Sequence, residues 1–205
     1  MYKFSYYTEP DREKVIAFMK ANPFAIITGI GEQYPEASQI PLEIITDGDK
    51  IFLQGHIMRK TSHHLAFEKN EHVLVLFTGP HCFVSASWYT NPSVGSTWNY
   101  MTVHAKGKIS FMNEEETRNA VKKVSDKFEG TKSDGAFDKL PQEYIDSMMK
   151  AIVGFTIEVN SLDNVFKLSQ NRDTVSQKNI IEQLKKRGDD NSVMIAKEME
   201  GRLAQ

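Results

Sequence analysis

Between residues 24 and 111 the apolar side chains come in short runs rich in β-branched and aromatic residues, each closed by turn residues, with little room for helices between them. The runs are Phe24–Ile30, Ser38–Ile45, Ile51–Leu53, Val73–Phe77, Phe83–Trp88 and Trp98–Phe111. Runs of this length and composition are strands, and Asp47-Gly48-Asp49 is the clearest hairpin turn among them. Gly79-Pro80 reads as another turn. Strand signals return at Ile152–Val159 and Val165–Leu168. Strands that succeed one another so closely pair antiparallel, because a parallel βαβ order needs a long crossover between them. The expectation is an α+β chain built on an antiparallel β-barrel of six to seven strands, with peripheral helices.

The helices lie mostly outside the strand-rich stretch. Thr8 is expected to open the first, with Pro10 in its first turn and an apolar stripe of Val15, Ile16, Phe18 and Met19 that stops at Asn22-Pro23. A short helix is expected around Thr61–Glu68, one capped by Asn113 with Glu116, and one after Pro141 ending near Met149. Thr174 with Gln177 reads as a capping box for a helix that ends at Gly188, and Asn191–Leu203 forms a last amphipathic helix. With no internal repeat and no low-complexity linker, the chain reads as one domain over residues 1–205, with a helical C-terminal extension at about 173–205.

Composition removes several function classes. A net charge of -2 gives no global attraction to phosphate backbones, so nucleic-acid binding would have to be local. The lone Cys82 cannot form an internal disulfide or a cysteine metal cluster and suits a reducing compartment. Met1–Tyr7 runs directly into Pro10-Asp11-Arg12-Glu13-Lys14 with no apolar signal segment, and no apolar run approaches the roughly 20 residues of a membrane span. A cytoplasmic protein without a membrane partner is expected.

Three segments carry candidate chemistry. Gly55–Ser62 lies where a strand gives way to a helix; helix N-terminal amides, the forked donors of Arg59, and Thr61 or Ser62 hydroxyls together suit a phosphate, although a solvated basic turn has the same appearance. Phe83–Tyr89 and Thr97–His104 set aromatic rings beside Ser, Thr, Asn and His, as a planar heteroaromatic ligand would require; buried barrel aromatics are the alternative. Lys167–Arg172 is a polar run after an apolar strand, suited either to close over a ligand or to cap the next helix. Gly29-Ile30-Gly31 lacks the third glycine of a dinucleotide fingerprint and leads into a hairpin. His56, His63 and His64 lack the supporting carboxylate or cysteine that a metal site needs, and no catalytic triad is evident.

Taken together, these words resemble the PaiB family of FMN-binding negative transcriptional regulators. The resemblance rests on Arg12–Phe24, Gly55-His56 with Arg59, Gly79-Pro80-His81 leading to Val84-Ser85 and Ser87-Trp88-Tyr89, Thr97–Tyr100 with Val103-His104, Ile152–Phe155 and Lys167–Arg172. It implies the FMN-binding split barrel, related to pyridoxamine phosphate oxidases, and a homodimer with FMN at the subunit interface. The flavin phosphate would lie at Arg59, Lys60, Thr61 and Ser62. The ring would lie near His56, Ile57, Ser85, Trp98, Asn99 and His104, with Lys167, Gln170 and Arg172 closing over it.

Two functions follow from that resemblance. One is a regulator whose flavin tunes an interaction with DNA or another protein, the candidate DNA-contacting clusters being Lys122-Lys123-Lys127 and Lys185-Lys186-Arg187. The other is an FMN-dependent oxidoreductase, of flavin reductase or pyridoxamine phosphate oxidase type, in which the protein orients a substrate and the flavin supplies the chemistry. Whether the protein is an enzyme is left open. A haem-handling split barrel with His81 or His104 as axial ligand is a third, weaker reading.

Overall fold

Asp11, rather than Thr8, starts the first helix, α1 (Arg12–Ala21). Its carboxylate accepts hydrogen bonds from the backbone N–H of Glu13 at 2.9 Å and of Lys14 at 3.4 Å, whereas the Thr8 hydroxyl donates to the Phe4 carbonyl. The acid is closer to the first unpaired amides, and so it takes the cap. The computed structural model describes residues 1, 2 and 4–204.

Seven strands follow: β1 (Phe24–Gly29), β2 (Glu36–Pro41), β3 (Glu43–Asp47), β4 (Lys50–Met58), β5 (His72–Val84), β6 (Thr97–Phe111) and β7 (Ile152–Lys167). They form one antiparallel sheet in the order β2-β1-β5-β6-β7-β4-β3. The remaining helices are α2 (Ser62–Lys69), α3 (Glu114–Phe128), α4 (Gln142–Ala151), α5 (Thr174–Arg187) and α6 (Asp190–Leu203). The α+β class with an antiparallel split barrel, expected from sequence, is the fold.

Three boundaries differ from the sequence reading, each for a physical reason. The run Ser38–Ile45 is two strands: β2 pairs with β1, Ala25 opposite Ile40, and β3 pairs with β4, Ile44 opposite Leu53. The break falls after Pro41, which has no N–H to donate, and the buried Leu42 sends its own N–H to the Pro23 carbonyl at 2.9 Å. Gly79-Pro80 is not a turn but lies inside β5. Pairing with β1 covers only Val73–Leu76, so the missing N–H of Pro80 falls beyond it. Gly79 there makes room for the Phe18 ring, since a Cβ would come within 2.5 Å of it. The two late strand signals are the halves of a single β7.

The chain forms two compact units. The first comprises Met1–Phe18, Thr78–Val103 and Asp163–Gln205. In it α5 buries Ile180, Ile181 and Leu184, and α6 buries Ile195, Ala196 and Met199. The cap of α5 is Asp173, not Thr174: its carboxylate accepts from the Ser176 N–H at 2.9 Å and from the Ser176 hydroxyl at 2.6 Å. Gly188, at φ 78°, ends α5 in the left-handed conformation that suits glycine, and Asp189 caps α6 with Ser192 in the same way. The buried Glu9 carboxylate meets Arg202 at 2.6 Å, and its backbone exchanges two hydrogen bonds with the Asn164 side chain.

The second unit comprises Met19–Phe77 and His104–Leu162. Alternate residues of its strands point inward: Ile51, Leu53 and Ile57 of β4, Val73, Val75 and Phe77 of β5, and Val153, Phe155 and Ile157 of β7 are all buried. Asn113 and Glu116 close a reciprocal capping box on α3, as the sequence indicates. Between α3 and α4, Val121, Phe137, Ile145 and Met149 pack with Ile152 in a cluster of their own.

Gly107 of β6 lies against β7, and an added Cβ would come within 2.4 Å of the Glu158 carbonyl oxygen. Gly107→Ala is expected to lower stability by about 1–3 kcal/mol, because backbone, not a flexible side chain, must move. Chemical denaturation measures this, and an unchanged midpoint would contradict the close approach.

Candidate functional site

In the second unit, β4 delivers the chain to a turn whose polar groups are arranged unlike those of an ordinary helix start. Arg59 N–H bonds the Ala151 carbonyl at 2.9 Å, and Lys60 takes the left-handed conformation at φ 63°. α2 then begins at Ser62 with no side-chain cap. The Thr61 hydroxyl turns back to donate to the Met58 carbonyl at 2.9 Å and lies 3.0 Å from Nε2 of His63. The first amides of α2 therefore lack the side-chain acceptor that Thr61 would ordinarily give. Arg59 and Lys60 are exposed and pair with no carboxylate among the described residues. Ser62 is engaged differently, its hydroxyl donating to Glu36 at 2.7 Å.

Other expected residues of this unit are more enclosed. Ile57 points into the core, and its neighbour His56, of opposite parity, is half-buried on the other face of β4. There His56 borders a recess of only about 10 Å³ shared with Ala120, Lys123 and Val124 of α3. His64 is buried, accepts the Lys60 N–H at 3.3 Å and packs edge-on against Phe111. Burial is the main cause holding both His56 and His63 below the usual histidine value. On β6, odd-numbered residues from Asn99 to Ile109 are buried and His104 lies on the alternate, half-exposed face, so its parity opposes that of Asn99 and Met101.

In the first unit the structure gathers Trp98, Asn99, Lys167, Gln170 and Arg172 into one neighbourhood but gives them different tasks. Trp98 is 55% exposed and stands with Phe83 and His81, each at 6.1 Å between ring centroids. This is an open aromatic face. Asn99 is 0% exposed: it accepts from the Ser169 hydroxyl at 3.0 Å and directs its amide to the Met199 sulfur at 3.6 Å. Gln170 is likewise turned inward, bracing the loop through Leu168 N–H and the Phe166 carbonyl. Ser85 caps the short 3-10 turn Ala86–Trp88 by accepting from Ser87 N–H.

Lys167 and Arg172 are half-buried. Lys167 donates to the Trp98 carbonyl at 2.6 Å and to the Thr97 hydroxyl, and Arg172 stacks at 4.4 Å over the ring of Tyr89. Burial, then the nearby Arg172 charge, pushes the Lys167 ammonium below the usual lysine value. Sequence reasoning placed Tyr89 in the aromatic segment Phe83–Tyr89 without giving it a contact of its own, and left Tyr7 out. The signal was present in the aromatic runs Tyr6-Tyr7 and Trp88-Tyr89, but the partners that give them significance are distant in sequence.

The two basic clusters are largely engaged within the chain. Lys122 pairs with Asp126 and Asp138, Lys127 with Glu43, and Lys185 with Glu200. Arg187 donates to the Phe83 carbonyl and lies over the Trp88 ring.

Residues 1–161 match the profile of a family described as "Putative FMN-binding domain". The chain belongs to this FMN-binding family. It is 33% identical over 204 residues, spanning 99% of this chain and 98% of the relative, to the protease synthase and sporulation protein PAI 2 of Bacillus subtilis, so the PaiB resemblance holds over its length. Among solved structures, it is similar to the flavocytochrome Anf3 from Azotobacter vinelandii, with a TM-score of 0.61 and 13% identity over 81% of this chain and 72% of that one. The FAD and heme binding protein from Mycobacterium smegmatis gives a TM-score of 0.58 and 15% identity over 78% and 73% of the two chains. At such identities these structures speak to the fold alone. Membership of the FMN-binding family makes FMN the cofactor.

The donor set at the α2 turn fits a flavin phosphate. Two cations without carboxylate partners, and helix amides without a side-chain cap, are what a phosphate monoester requires. The Glu36 carboxylate on Ser62 opposes an anion there, so a phosphate at this turn would take its charge from Arg59 and Lys60, and Ser62 would contribute only by leaving Glu36. Among the described residues no helix is long and apolar enough to cross a membrane.

His56 gives this FMN-binding protein a pH dependence with a definite sign. The unfolded chain protonates His56 near its ordinary value of 6.5, whereas the folded chain resists the proton to lower pH. Stability from this group is therefore intact above about pH 6.5 and declines as pH falls below it. His56→Gln should flatten the decline of the denaturation midpoint between about pH 7.5 and 5. Parallel profiles for the two proteins would contradict it.

Proposed function

We propose that the protein is a PaiB-type regulator in which bound FMN tunes a contact with a macromolecular partner. What supports this most is likeness to PAI 2 along 99% of the chain, because it includes the C-terminal helices that lie beyond the family match at residue 161. In this reading Arg59 and Lys60 hold the flavin phosphate, with the α2 amides beside them. In the first unit, the exposed Trp98–Phe83 face is by itself a surface on which a planar ring can stack. The flavin supplies a redox-active ring when bound, and the chain supplies charge, orientation and shelter from water. A homodimer with FMN at its interface accompanies the reading, and light scattering should then give twice the 23.4 kDa chain mass.

The phosphate assignment is tested by comparing FMN with riboflavin, which lacks the phosphate. Arg59→Ala with Lys60→Ala should weaken FMN at least tenfold, a loss of about 1.4 kcal/mol, and leave riboflavin nearly unchanged. Flavin fluorescence titration reads both. Equal loss of the two ligands would place the phosphate elsewhere.

The partner is expected to be a protein rather than DNA, since carboxylates within the chain already pair with Lys122, Lys127 and Lys185. Binding of the FMN-loaded protein to promoter duplex across a salt series should show no more than non-specific affinity, weaker than about 10⁻⁶ M at physiological salt. Tight binding that falls steeply with salt would restore direct DNA contact.

A further inference from the structure

Within the first unit, neither the Lys167 ammonium, pushed down by burial and then by the Arg172 charge, nor the Arg172 guanidinium meets a carboxylate among the described residues. Two other cations of the same unit are neutralised: Arg202 faces Glu9 and Glu198, and Lys185 faces Glu200. Lys167 is half-buried and held by two neutral acceptors, Thr97 and the Trp98 carbonyl, which orient it without cancelling its charge. Arg172 is also half-buried, with its flat face on Tyr89 and its backbone N–H on the Ser169 carbonyl at 3.0 Å. Stacking occupies the face of a guanidinium and leaves its in-plane donors for an oxyanion.

Two further observations single out this place. Tyr89 is only 6% exposed, and its hydroxyl is the one buried side-chain polar atom without a hydrogen-bond partner among the described residues. A buried hydroxyl in that condition is unfavourable unless something else supplies its partner. Ser169, between the two cations in sequence, is held at φ 62°, a conformation unfavourable for a residue with a Cβ. Its hydroxyl is fixed by the buried Asn99. Two half-buried cations without carboxylate partners, an unsatisfied hydroxyl on the ring that one of them covers, and a strained backbone residue between them in sequence together mark a site shaped for something not supplied by the chain.

We propose that Lys167 and Arg172, with Tyr89 beneath the guanidinium, bind the oxyanion end of a small acidic ligand, a carboxylate or a phosphate ester, separate from the phosphate of FMN. This rests on the reading that places the flavin phosphate at Arg59 and Lys60. It assigns Lys167 and Arg172 to a second ligand rather than to closure over the cofactor. The ammonium contributes a point charge, the guanidinium a directed pair of donors, and Tyr7, whose ring centroid lies 5.9 Å from the Lys167 nitrogen, an aromatic wall.

The test uses the FMN-loaded protein, titrated calorimetrically with inorganic phosphate and separately with acetate at constant ionic strength. Saturable binding of at least one anion is expected, weakened at least tenfold by Arg172→Gln and also by Lys167→Met; which anion binds more tightly tells phosphate ester from carboxylate. Circular dichroism checks that each variant is folded, and because the two variants alter different elements, one suffices if the other fails to fold. No saturable binding to the wild type, or equal binding to a folded variant, overturns the proposal. Flavin titration separates the two readings: if Arg172→Gln weakens FMN tenfold but spares riboflavin, the pair serves the cofactor phosphate and the second site is overturned. Failure of Arg59→Ala with Lys60→Ala to discriminate FMN from riboflavin would instead overturn the cofactor assignment alone.

Discussion

Pairing of β4 with β7, from Phe52 opposite Glu158 to Met58 opposite Ile152, is the constraint on which the candidate phosphate turn depends. The ladder fixes where β4 stops, and one more backbone bond, from Arg59 N–H to the Ala151 carbonyl, anchors the first residue after it. Lys60 can then reverse the chain in a left-handed conformation, and α2 begins without a side-chain cap. Register also sorts the side chains. Slipping β4 by one residue would bring His56 into the core and expel Ile57, so the ladder and the burial of alternate residues enforce each other.

Polar side chains in this fold divide into those that hold the chain together and those still able to meet a ligand. Asn99 and Gln170 have the chemistry to recognise a flavin, but their bonds to Ser169, Met199, Leu168 and Phe166 make them braces of the β6 and β7 ends. Arg59, Lys60, Lys167 and Arg172 lack carboxylate partners among the described residues. Charge matters here by its pairing more than by its amount: the lysines of α3 look like a basic cluster in sequence but are mostly matched by nearby acids. A net charge of -2 conveys none of this, because it averages paired and unpaired cations.

The C-terminal hairpin shows the same separation of structural from functional polarity. Asp173 and Asp189 each cap a helix through a serine three residues on, Ser176 and Ser192, by both amide and hydroxyl bonds. Those bonds, Ser176 foremost, hold the Asp173 carboxyl down to about 2, so it stays ionised at any physiological pH and stays on its cap. The Asp173 contribution to stability is present above the ordinary aspartate value and is lost only as pH falls through about 2. Thr90 also donates to Asp173, tying the loop before β6 to the start of α5.

Much of the fold was legible in the sequence because its signals are local. Asn113 with Glu116, and Gly188 after Leu184, act within one turn of helix, and the short alternating runs set the strands and their antiparallel class. Family resemblance, carried by words spread along the chain, was legible too, and with it the cofactor. What only the tertiary structure decided involves partners distant in sequence, or local competitors of nearly equal merit. Asp11 took the cap expected of Thr8, and Asp173 that expected of Thr174, their carboxylates accepting from the Glu13 and Ser176 N–H groups. Gly79-Pro80 became strand because Phe18 needed the space over Gly79 and β1 pairing ended before Pro80. Asn99 became a brace because Ser169, 70 residues on, supplied its hydrogen bond. Periodicity tells which way a side chain faces, but only the assembled neighbours determine whether its polar atoms are already satisfied.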